Sequence, residues 1–232
     1  MKTIGLIGGM SWESSIEYYR IINETAKEKL GGLHSAKSLM VTVDFAEIEK
    51  LQHEDRWDEA AQTLVKCAQD LERGGADFIV LCTNTMHKVA DQIIAGINIP
   101  FLHIADATAE KVKTAGIKRI GLLGTRFTME HDFYKGRLIN NFGLEVLTPN
   151  EKDREIVHRV IYEELVLGKI VEDSRKEYRR IIHALIEQGA EGIILGCTEI
   201  ELLVKAQDAS VPLFPTSYIH AVAAVEKALQ SL

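Results

Sequence analysis

Short apolar runs alternate along this chain with longer segments in which apolar residues recur every three or four positions. The short runs are of strand length, and the longer periodic segments are typical of amphipathic helices. The predicted strands begin at Ile4, Leu39, Phe78, Phe101, Arg119, Leu144, Gly192 and Pro212. The predicted helices cover residues 12–30, 58–74, 127–141, 152–167, 173–188 and 218–229. This alternation indicates βαβ units with mainly parallel sheets, and therefore an α/β fold.

Three landmarks of the first half of the chain recur in the second half at nearly one spacing. They are a glycine turn at Gly5 and Gly121, a proline before a strand at Pro100 and Pro212, and a thiol after an apolar run at Cys82 and Cys197. The repeat predicts two pseudo-symmetric domains, each a mainly parallel sheet flanked by helices, with the active site in the interdomain cleft. We place the first domain at 1–103 plus 216–232 and the second at 104–215.

The two thiols of the repeat suggest the chemistry. Ligands of parallel α/β sheets collect at the carboxyl ends of the strands, where Cys82 and Cys197 are expected. The backbone N–H groups of the hydroxyl- and amide-rich turns that follow would form an anion site, and a helix N-terminus there would lower a thiol pKa. Cys197 could then act as a base near pH 7. Two weakly acidic groups facing one pocket could move a proton across a carbon atom, which indicates a racemase. Cys67, in the middle of a predicted helix, is assigned to packing.

Composition excludes several other classes of function. The formal net charge is −7 and the Lys and Arg residues are scattered, which argues against a nucleic-acid partner. Three cysteines in 232 residues do not suggest a disulfide framework, so reduced thiols are expected. No apolar run approaches the roughly 18 residues of a membrane span, and no leader pattern precedes the first strand. We therefore expect a cytoplasmic protein without a membrane partner.

Three segments resemble the signatures of a known family. They are C-T-N-T-M-H around Cys82, I-L-G-C-T-E around Cys197 and G-L-I-G-G-M-S-W-E at the N-terminus. Together they resemble the aspartate/glutamate racemase family over essentially the whole chain. The resemblance implies a racemase independent of pyridoxal phosphate, with no cofactor and no metal, acting on a small amino acid, typically aspartate or glutamate. It also implies one catalytic residue from each half and a homodimer.

The first signature departs from the family pattern at one position. In many members the first catalytic cysteine directly precedes the Asn of the N-T pair, whereas Thr83 here separates Cys82 from Asn84. We therefore predict Thr83 as the catalytic partner of Cys197, with Cys82 as the alternative. A threonine hydroxyl is a much poorer base than a thiolate, so the two directions of proton transfer are expected to be unequally supported.

Further residues are predicted to bind the substrate or to stabilise the carbanion that forms when the α-proton leaves. They are Met10, Ser11, Gln52, Asn84, Thr85, Thr125, Thr198 and Glu199. By resemblance, Gln52 lines the substrate side chain. Glu199 would hold the ammonium group or shift the thiol pKa, or else only compensate a helix dipole. His87 is expected to be a solvated or capping residue.

Other interpretations remain open. The turn after the first strand could bind a dinucleotide, but its spacing is G-x-x-G-G rather than G-x-G-x-x-G. Lys88 could carry pyridoxal phosphate, although nothing in the sequence identifies an aldimine lysine. The chain could also be a broad-specificity amino-acid racemase, or an amino-acid-binding protein with weak turnover. The resemblance further leaves open the related decarboxylases and isomerases that use one or two of these cysteines on the same scaffold.

Overall fold

The computed structural model describes residues 1–230 and contains two parallel sheets. The strands are β1 (Ile4–Gly8), β2 (Ser38–Thr42), β3 (Phe78–Leu81), β4 (Phe101–Leu102), β5 (Arg119–Gly124), β6 (Glu145–Leu147), β7 (Ile193–Gly196) and β8 (Leu213–Pro215). The helices are α1 (Trp12–Leu30), α2 (Phe45–His53), α3 (Trp57–Arg73), α4 (Ala90–Ala95), α5 (Ile104–Thr114), α6 (Arg126–Glu130), α7 (Lys135–Phe142), α8 (Glu151–Glu163), α9 (Glu172–Glu187), α10 (Ile200–Leu203) and α11 (Thr216–Leu229). Short 3₁₀ turns cover Thr85–Val89, Leu165–Leu167 and Ala206–Asp208.

The two sheets have the same strand order. The first runs β2-β1-β3-β4 and the second β6-β5-β7-β8, with every pair parallel. In the first sheet Gly5 pairs with Ile79, and in the second Gly121 pairs with Ile193. The glycine turns of the sequence repeat therefore occupy equivalent strands, and the predicted α/β class with two parallel sheets flanked by helices is confirmed.

The chain divides into two compact units, Met1–Ile104 together with the chain from His220, and Ala105–Ile219. The chain crosses from one unit to the other near the first residue of α5 and again inside α11. Residues 231 and 232, which the sequence assigns to the first domain, lie outside the described range.

Helices pack apolar side chains against the sheet of each unit. In the first unit α3 covers one face, while α1 and α11 cover the other and enclose Tyr18 and Val80. In the second unit, Tyr178 and Ile181 of α9 pack together with residues of α8 against β5 and β7. Among the described residues, no helix is both long enough and apolar enough to cross a bilayer.

One predicted helix is interrupted. The sequence pattern predicts a continuous helix over 127–141, but α6 ends at Glu130 and α7 begins at Lys135. His131 has extended backbone (φ −86°, ψ 152°), and the turn that follows buries the Tyr134 side chain completely. Burial of Tyr134 inside the turn satisfies the same apolar spacing that suggested a continuous helix.

Other departures from the predicted pattern involve short helices. The helix predicted over 152–167 becomes α8 followed by a 3₁₀ turn, because Glu164 leaves helical geometry at φ −125°. The helices α2, α4, α5 and α10 were not predicted. The helices α2, α4, α5 and α10 have nine, six, eleven and four residues, so each presents few periodic apolar positions.

Gly9, in the turn after β1, lies so close to the main chain of Val43 that it leaves no room for a side chain. Its φ is +96°, and a Cβ atom there would lie 2.7 Å from the main-chain nitrogen of Val43 and closer still to its carbonyl oxygen. Gly9→Ala is expected to lower the free energy of unfolding by about 3 kcal/mol or more, from left-handed strain and overpacking. Thermal denaturation would show a melting temperature lowered by roughly 2–4 °C per kcal/mol.

The matched control is Gly32, which also has positive φ (+58°) but has no atom near a built Cβ. Gly32→Ala should cost only the left-handed strain of about 1 kcal/mol. Equal shifts in the two variants would contradict the close contact assigned to Gly9.

Candidate active site

The candidate residues of the first unit lie at the carboxyl end of β3. The Cys82 N–H donates to the Ile7 carbonyl at 2.9 Å, so the sheet ladder continues one residue beyond the strand. The Cys82 side chain is 0% exposed and packs with Ile4, Tyr18 and Phe78. Burial alone raises the pKa of the Cys82 thiol far above its usual range. Cys82 is therefore a core residue held as a neutral thiol.

Thr83, the next residue, stands where the chain leaves the sheet. Its N–H donates to the Leu81 carbonyl at 2.9 Å, and its own carbonyl is 2.8 Å from the His87 Nδ1 atom. The residue is half-buried, unlike Cys82 before it and Asn84 after it, which are both buried. Thr83 is thus the residue of this turn that combines a reactive side chain with partial exposure.

The candidate residues of the second unit lie at the carboxyl end of β7. Cys197 directly follows the strand and is partly buried, and its Sγ atom donates to the Glu199 Oε2 atom at 2.9 Å. The Thr198 Oγ1 atom is 2.7 Å from the Ser217 Oγ atom in the first turn of α11. The Glu199 carboxylate is therefore the direct hydrogen-bond acceptor of this thiol.

The expectation that Cys197 has a pKa near neutrality is wrong. The pKa of this thiol is raised well above its ordinary value, first by burial and then by the negative charge and hydrogen bond of Glu199. The main-chain N–H of Glu199 acts in the opposite direction but does not compensate. The following helix, α10, has only four residues, too few for a strong dipole. In the resting site Cys197 is a protonated thiol.

The Glu199 carboxylate is expected to control the reactivity of Cys197. Glu199→Gln removes the negative charge, so the pKa of Cys197 should fall and more thiolate should be present at a given pH. Alkylation of Cys197 by iodoacetamide, followed by mass spectrometry at pH 8, should accelerate by roughly threefold to fourfold for each unit of that fall, because a less basic thiolate is more abundant but also less nucleophilic.

Glu201→Gln serves as the control, because Glu201 is the last and smallest of the groups that raise this pKa. It should change the alkylation rate less than Glu199→Gln does. A Glu199→Gln protein that reacts no faster than the unchanged chain would refute the assigned role of the carboxylate.

The sheet register identifies which first-unit residue is equivalent to Cys197. Ile79 and Ile193 are equivalent because they pair with the glycines at the start of the two repeats. Thr83 stands four residues after Ile79, and Cys197 stands four residues after Ile193. The sequence match between the two thiols is therefore one residue out of register. Cys82 corresponds to Gly196, the last residue of β7.

The remaining predicted residues fall on the turns and helices near the same sheet edges. In the first unit, Ser11 caps α1 with its Oγ atom 3.3 Å from the Ser14 nitrogen, and Met10 is buried beside it. Because β1 and β3 are parallel neighbours, this turn and the Thr83 turn share one edge of the sheet. Asn84 and Thr85 follow Thr83 and are buried, and Gln52, in α2, is buried with its amide 3.0 Å from the Met86 sulfur.

In the second unit, Thr125 follows β5 as Cys197 and Thr198 follow the neighbouring strand β7. Thr125 caps α6, with its Oγ1 atom 3.4 Å from the Thr128 nitrogen. The structure thus brings Thr125, Cys197, Thr198 and Glu199 to one edge of the second sheet.

The predicted anion site is only partly available. The Thr83 N–H already donates to the Leu81 carbonyl, and the segment that follows is a five-residue 3₁₀ turn rather than a regular helix. A substrate carboxylate therefore cannot use the Thr83 N–H, and the helix field expected there is weak because the turn is short.

Sequence reasoning misjudged or missed two residues of these half-sites. His87 is buried rather than solvated, but the capping alternative agrees with the structure, because its Nε2 atom accepts from the N–H of Ile104, the first residue of α5. Its Nδ1 atom is within hydrogen-bond distance of the Thr83 carbonyl. Ser217, which bonds Thr198, was not predicted at all. Its position two residues after the last residue of β8 is the signal that could have found it, since ligand-binding residues collect at the carboxyl ends of parallel strands.

Comparisons with known proteins agree on one family. A crystal structure from Yersinia pestis, provisionally described as an Asp/Glu racemase, is 61% identical with a TM-score of 0.94, over 99% of this chain and 100% of that one. An aspartate racemase homologue from Pyrococcus horikoshii OT3 is 36% identical with a TM-score of 0.85, over 98% of this chain and 99% of that one.

Among curated relatives, the broad specificity amino-acid racemase RacX of Bacillus subtilis (strain 168) is 25% identical over 69% of this chain and 68% of its own length. The family model for Asp/Glu/Hydantoin racemase matches residues 7–225. Because that match extends over nearly the whole chain, this protein belongs to the Asp/Glu/Hydantoin racemase family.

Proposed function

We propose that this protein racemises aspartate or glutamate at the α-carbon without a cofactor, with Thr83 and Cys197 as its acid–base pair. The observation that supports this pair is the sheet register, which makes the two residues equivalents in a duplicated fold. Both are half-buried, whereas Cys82 is enclosed in the core. The choice of aspartate or glutamate rests on the family and on the described relatives.

The proposed reaction begins with proton transfer within the second unit. The Cys197 thiol passes its proton to the Glu199 carboxylate, and the resulting thiolate removes the α-proton of the substrate. The Thr83 hydroxyl then donates a proton to the other face of the carbanion and recovers one from water. The Glu199 carboxyl releases its proton to the solvent, so the acid–base groups return to their starting protonation. Asn84, Thr85, Thr125 and Thr198 are proposed to stabilise the negative charge that builds up on the substrate carboxylate.

The two catalytic groups are unequal, and this has a defined kinetic consequence. Enantiomers of a free amino acid have equal free energies, so kcat/KM must be the same in both directions. The inequality appears instead in the exchange of the α-proton with solvent. The enantiomer whose α-proton is removed by the Cys197 thiolate should exchange quickly, because its proton can return from the same side. The opposite enantiomer depends on the weakly basic hydroxyl of Thr83 and should exchange slowly.

A second candidate is a broad-specificity amino-acid racemase. The specific observation in its favour is the match to RacX, a broad specificity amino-acid racemase. In α2, the residue proposed to line the substrate side chain, Gln52, is a neutral amide rather than a cation, and its amide lies against the sulfur of Met86. Met10 and Ser11 would then line a pocket for neutral as well as acidic side chains.

The direct test is incubation of the purified protein in heavy water with each L- and D-amino acid, without added cofactor. Proton NMR would follow loss of the α-proton, and chiral chromatography would follow inversion. We expect exchange and inversion with aspartate or glutamate, and unequal exchange from their two enantiomers. Comparable rates with many neutral amino acids would favour the broad-specificity racemase.

Two outcomes would contradict the proposal, the first by rejecting racemisation and the second by rejecting its independence from a cofactor. A rise in melting temperature with an amino acid but no deuterium at its α-carbon would identify a binding protein. Activity that depends on added pyridoxal phosphate would contradict the cofactor-independent mechanism.

The family resemblance also leads us to propose a homodimer, for which a molar mass near twice 25.9 kDa by light scattering is expected.

A further inference from the structure

A buried histidine lies directly behind the proposed acid–base residue Thr83. His87 is 2% exposed and belongs to the 3₁₀ turn that begins two residues after Thr83. We propose that His87 is a positioning residue, which holds the Thr83 turn so that the hydroxyl can transfer its proton. This inference rests on the function proposed above and assigns no direct contact between His87 and the substrate.

The hydrogen bonds of His87 determine its protonation. The Nδ1 atom is 2.8 Å from the Thr83 carbonyl oxygen, and the Nε2 atom is 3.2 Å from the main-chain nitrogen of Ile104. A carbonyl can only accept and a main-chain N–H can only donate. The ring therefore carries its hydrogen on Nδ1 and accepts at Nε2, which makes it neutral. In this form His87 joins the Thr83 turn to the first residue of α5.

Neighbouring rings fix the orientation of His87. The rings of Phe101, His103 and His220 approach it at centroid distances of 5.5, 4.5 and 5.9 Å, all edge to face. His220 is itself held, because its Nδ1 atom is 2.8 Å from the Tyr18 hydroxyl and its Nε2 atom is 2.9 Å from the Leu102 carbonyl. A rotation of the His87 ring would therefore have to displace several buried groups.

The hydrogen bond to His87 restrains the backbone of Thr83. Its N–H is held by the Leu81 carbonyl and its carbonyl by His87, so both ends of the residue are fixed. The second unit uses another arrangement, in which the Cys197 carbonyl accepts the Ile200 N–H at 3.2 Å and the thiol bonds Glu199. Misplacement of a reacting group by about 1 Å can cost roughly a hundredfold in rate. Release of the His87 bond should therefore lower turnover through Thr83.

Two substitutions separate the two hydrogen bonds of the ring. In His87→Asn the side-chain amide nitrogen can occupy the place of Nδ1 and keep the bond to the Thr83 carbonyl. In His87→Gln the amide reaches the place of Nε2 instead, and the bond to Thr83 is lost. We expect His87→Gln to lower the kcat for inversion by about tenfold to a hundredfold with little change in KM, and His87→Asn to restore most of that loss.

The decisive comparison repeats His87→Gln in a Thr83→Ala background. That background keeps exchange of the α-proton on the Cys197 side, which NMR in heavy water can follow. If His87 acts through Thr83, adding His87→Gln there should leave this exchange unchanged. If His87→Gln lowered α-proton exchange in the Thr83→Ala background by the same factor as it lowers kcat for inversion in the unchanged background, His87 would have a general structural role and the inference would be overturned. A His87→Gln protein with unaltered kcat would also overturn it.

The failure of this inference is distinguishable from failure of the proposed function. If the unchanged protein exchanges no α-proton of any amino acid, the proposed function fails and the role of His87 fails with it. If the unchanged protein exchanges and inverts its substrate but the two His87 variants behave alike, only the positioning role is rejected. Circular dichroism and melting temperature of each variant confirm that the compared proteins are folded.

Discussion

Cys197→Ala is expected to abolish measurable inversion in both directions, with a loss on the order of a thousandfold. Every turnover in the proposed mechanism uses Cys197 once, as base for one enantiomer and as acid for the other. General acid–base groups typically contribute about 10²–10⁴-fold to the rate. Chiral chromatography of aspartate and glutamate, started from each pure enantiomer, measures the effect.

Cys67→Ala is the matched control for this substitution. Cys67 is also a free cysteine, but it lies in α3 and packs in the core of the first unit. Its removal should lower stability modestly and leave inversion rates within a factor of about two, since no chemistry is assigned to it. A Cys197→Ala protein that retained a tenth of the activity would contradict the role of this thiol.

Thr83→Cys is expected to make the two enantiomers exchange their α-protons at similar rates. A thiol has an ordinary pKa of about 8.5, so it is a far better base near neutral pH than a threonine hydroxyl. Exchange of the slower enantiomer should rise by at least about tenfold, and kcat/KM for inversion should rise equally in both directions. The measurement is the initial rate of α-proton loss in heavy water, from each pure enantiomer.

Thr83→Ser provides the comparison, because it keeps the hydroxyl and removes only the methyl group. The two exchange rates should remain unequal in this variant. If Thr83→Cys left the inequality unchanged, Thr83 would not be the group that limits the slower exchange, and Cys82 would return as the first-unit partner.

The eight strands and the duplication could be predicted because buried parallel strands are read from continuous apolar runs. The start of α5 could not, since Ile104 continues the apolar run of β4 and the change from strand to helix leaves no break in that pattern. The interruption between α6 and α7 could not be predicted from the sequence either. Tyr134 occupies a helical spacing but is buried in a turn.

Fewer details of the candidate site could be predicted from the sequence. The two thiols appear matched along the chain, and only the pairing of β3 and β7 with their neighbours shows that Thr83 is the equivalent of Cys197. The raised pKa of Cys197 depends first on burial of the thiol and then on the side-chain conformation that brings Glu199 to 2.9 Å from the sulfur. The burial of His87 depends on rings from β4, the chain after it, and α11, which are distant in sequence.

The most direct test of the account compares Thr83→Ala with Cys82→Ala in heavy water, with each enantiomer of aspartate and glutamate followed by NMR. We predict that Thr83→Ala loses inversion while the fast-exchanging enantiomer still takes up deuterium, and that Cys82→Ala inverts its substrate nearly as the unchanged protein does. Inversion that survives in Thr83→Ala but disappears in a folded Cys82→Ala protein would contradict the assignment.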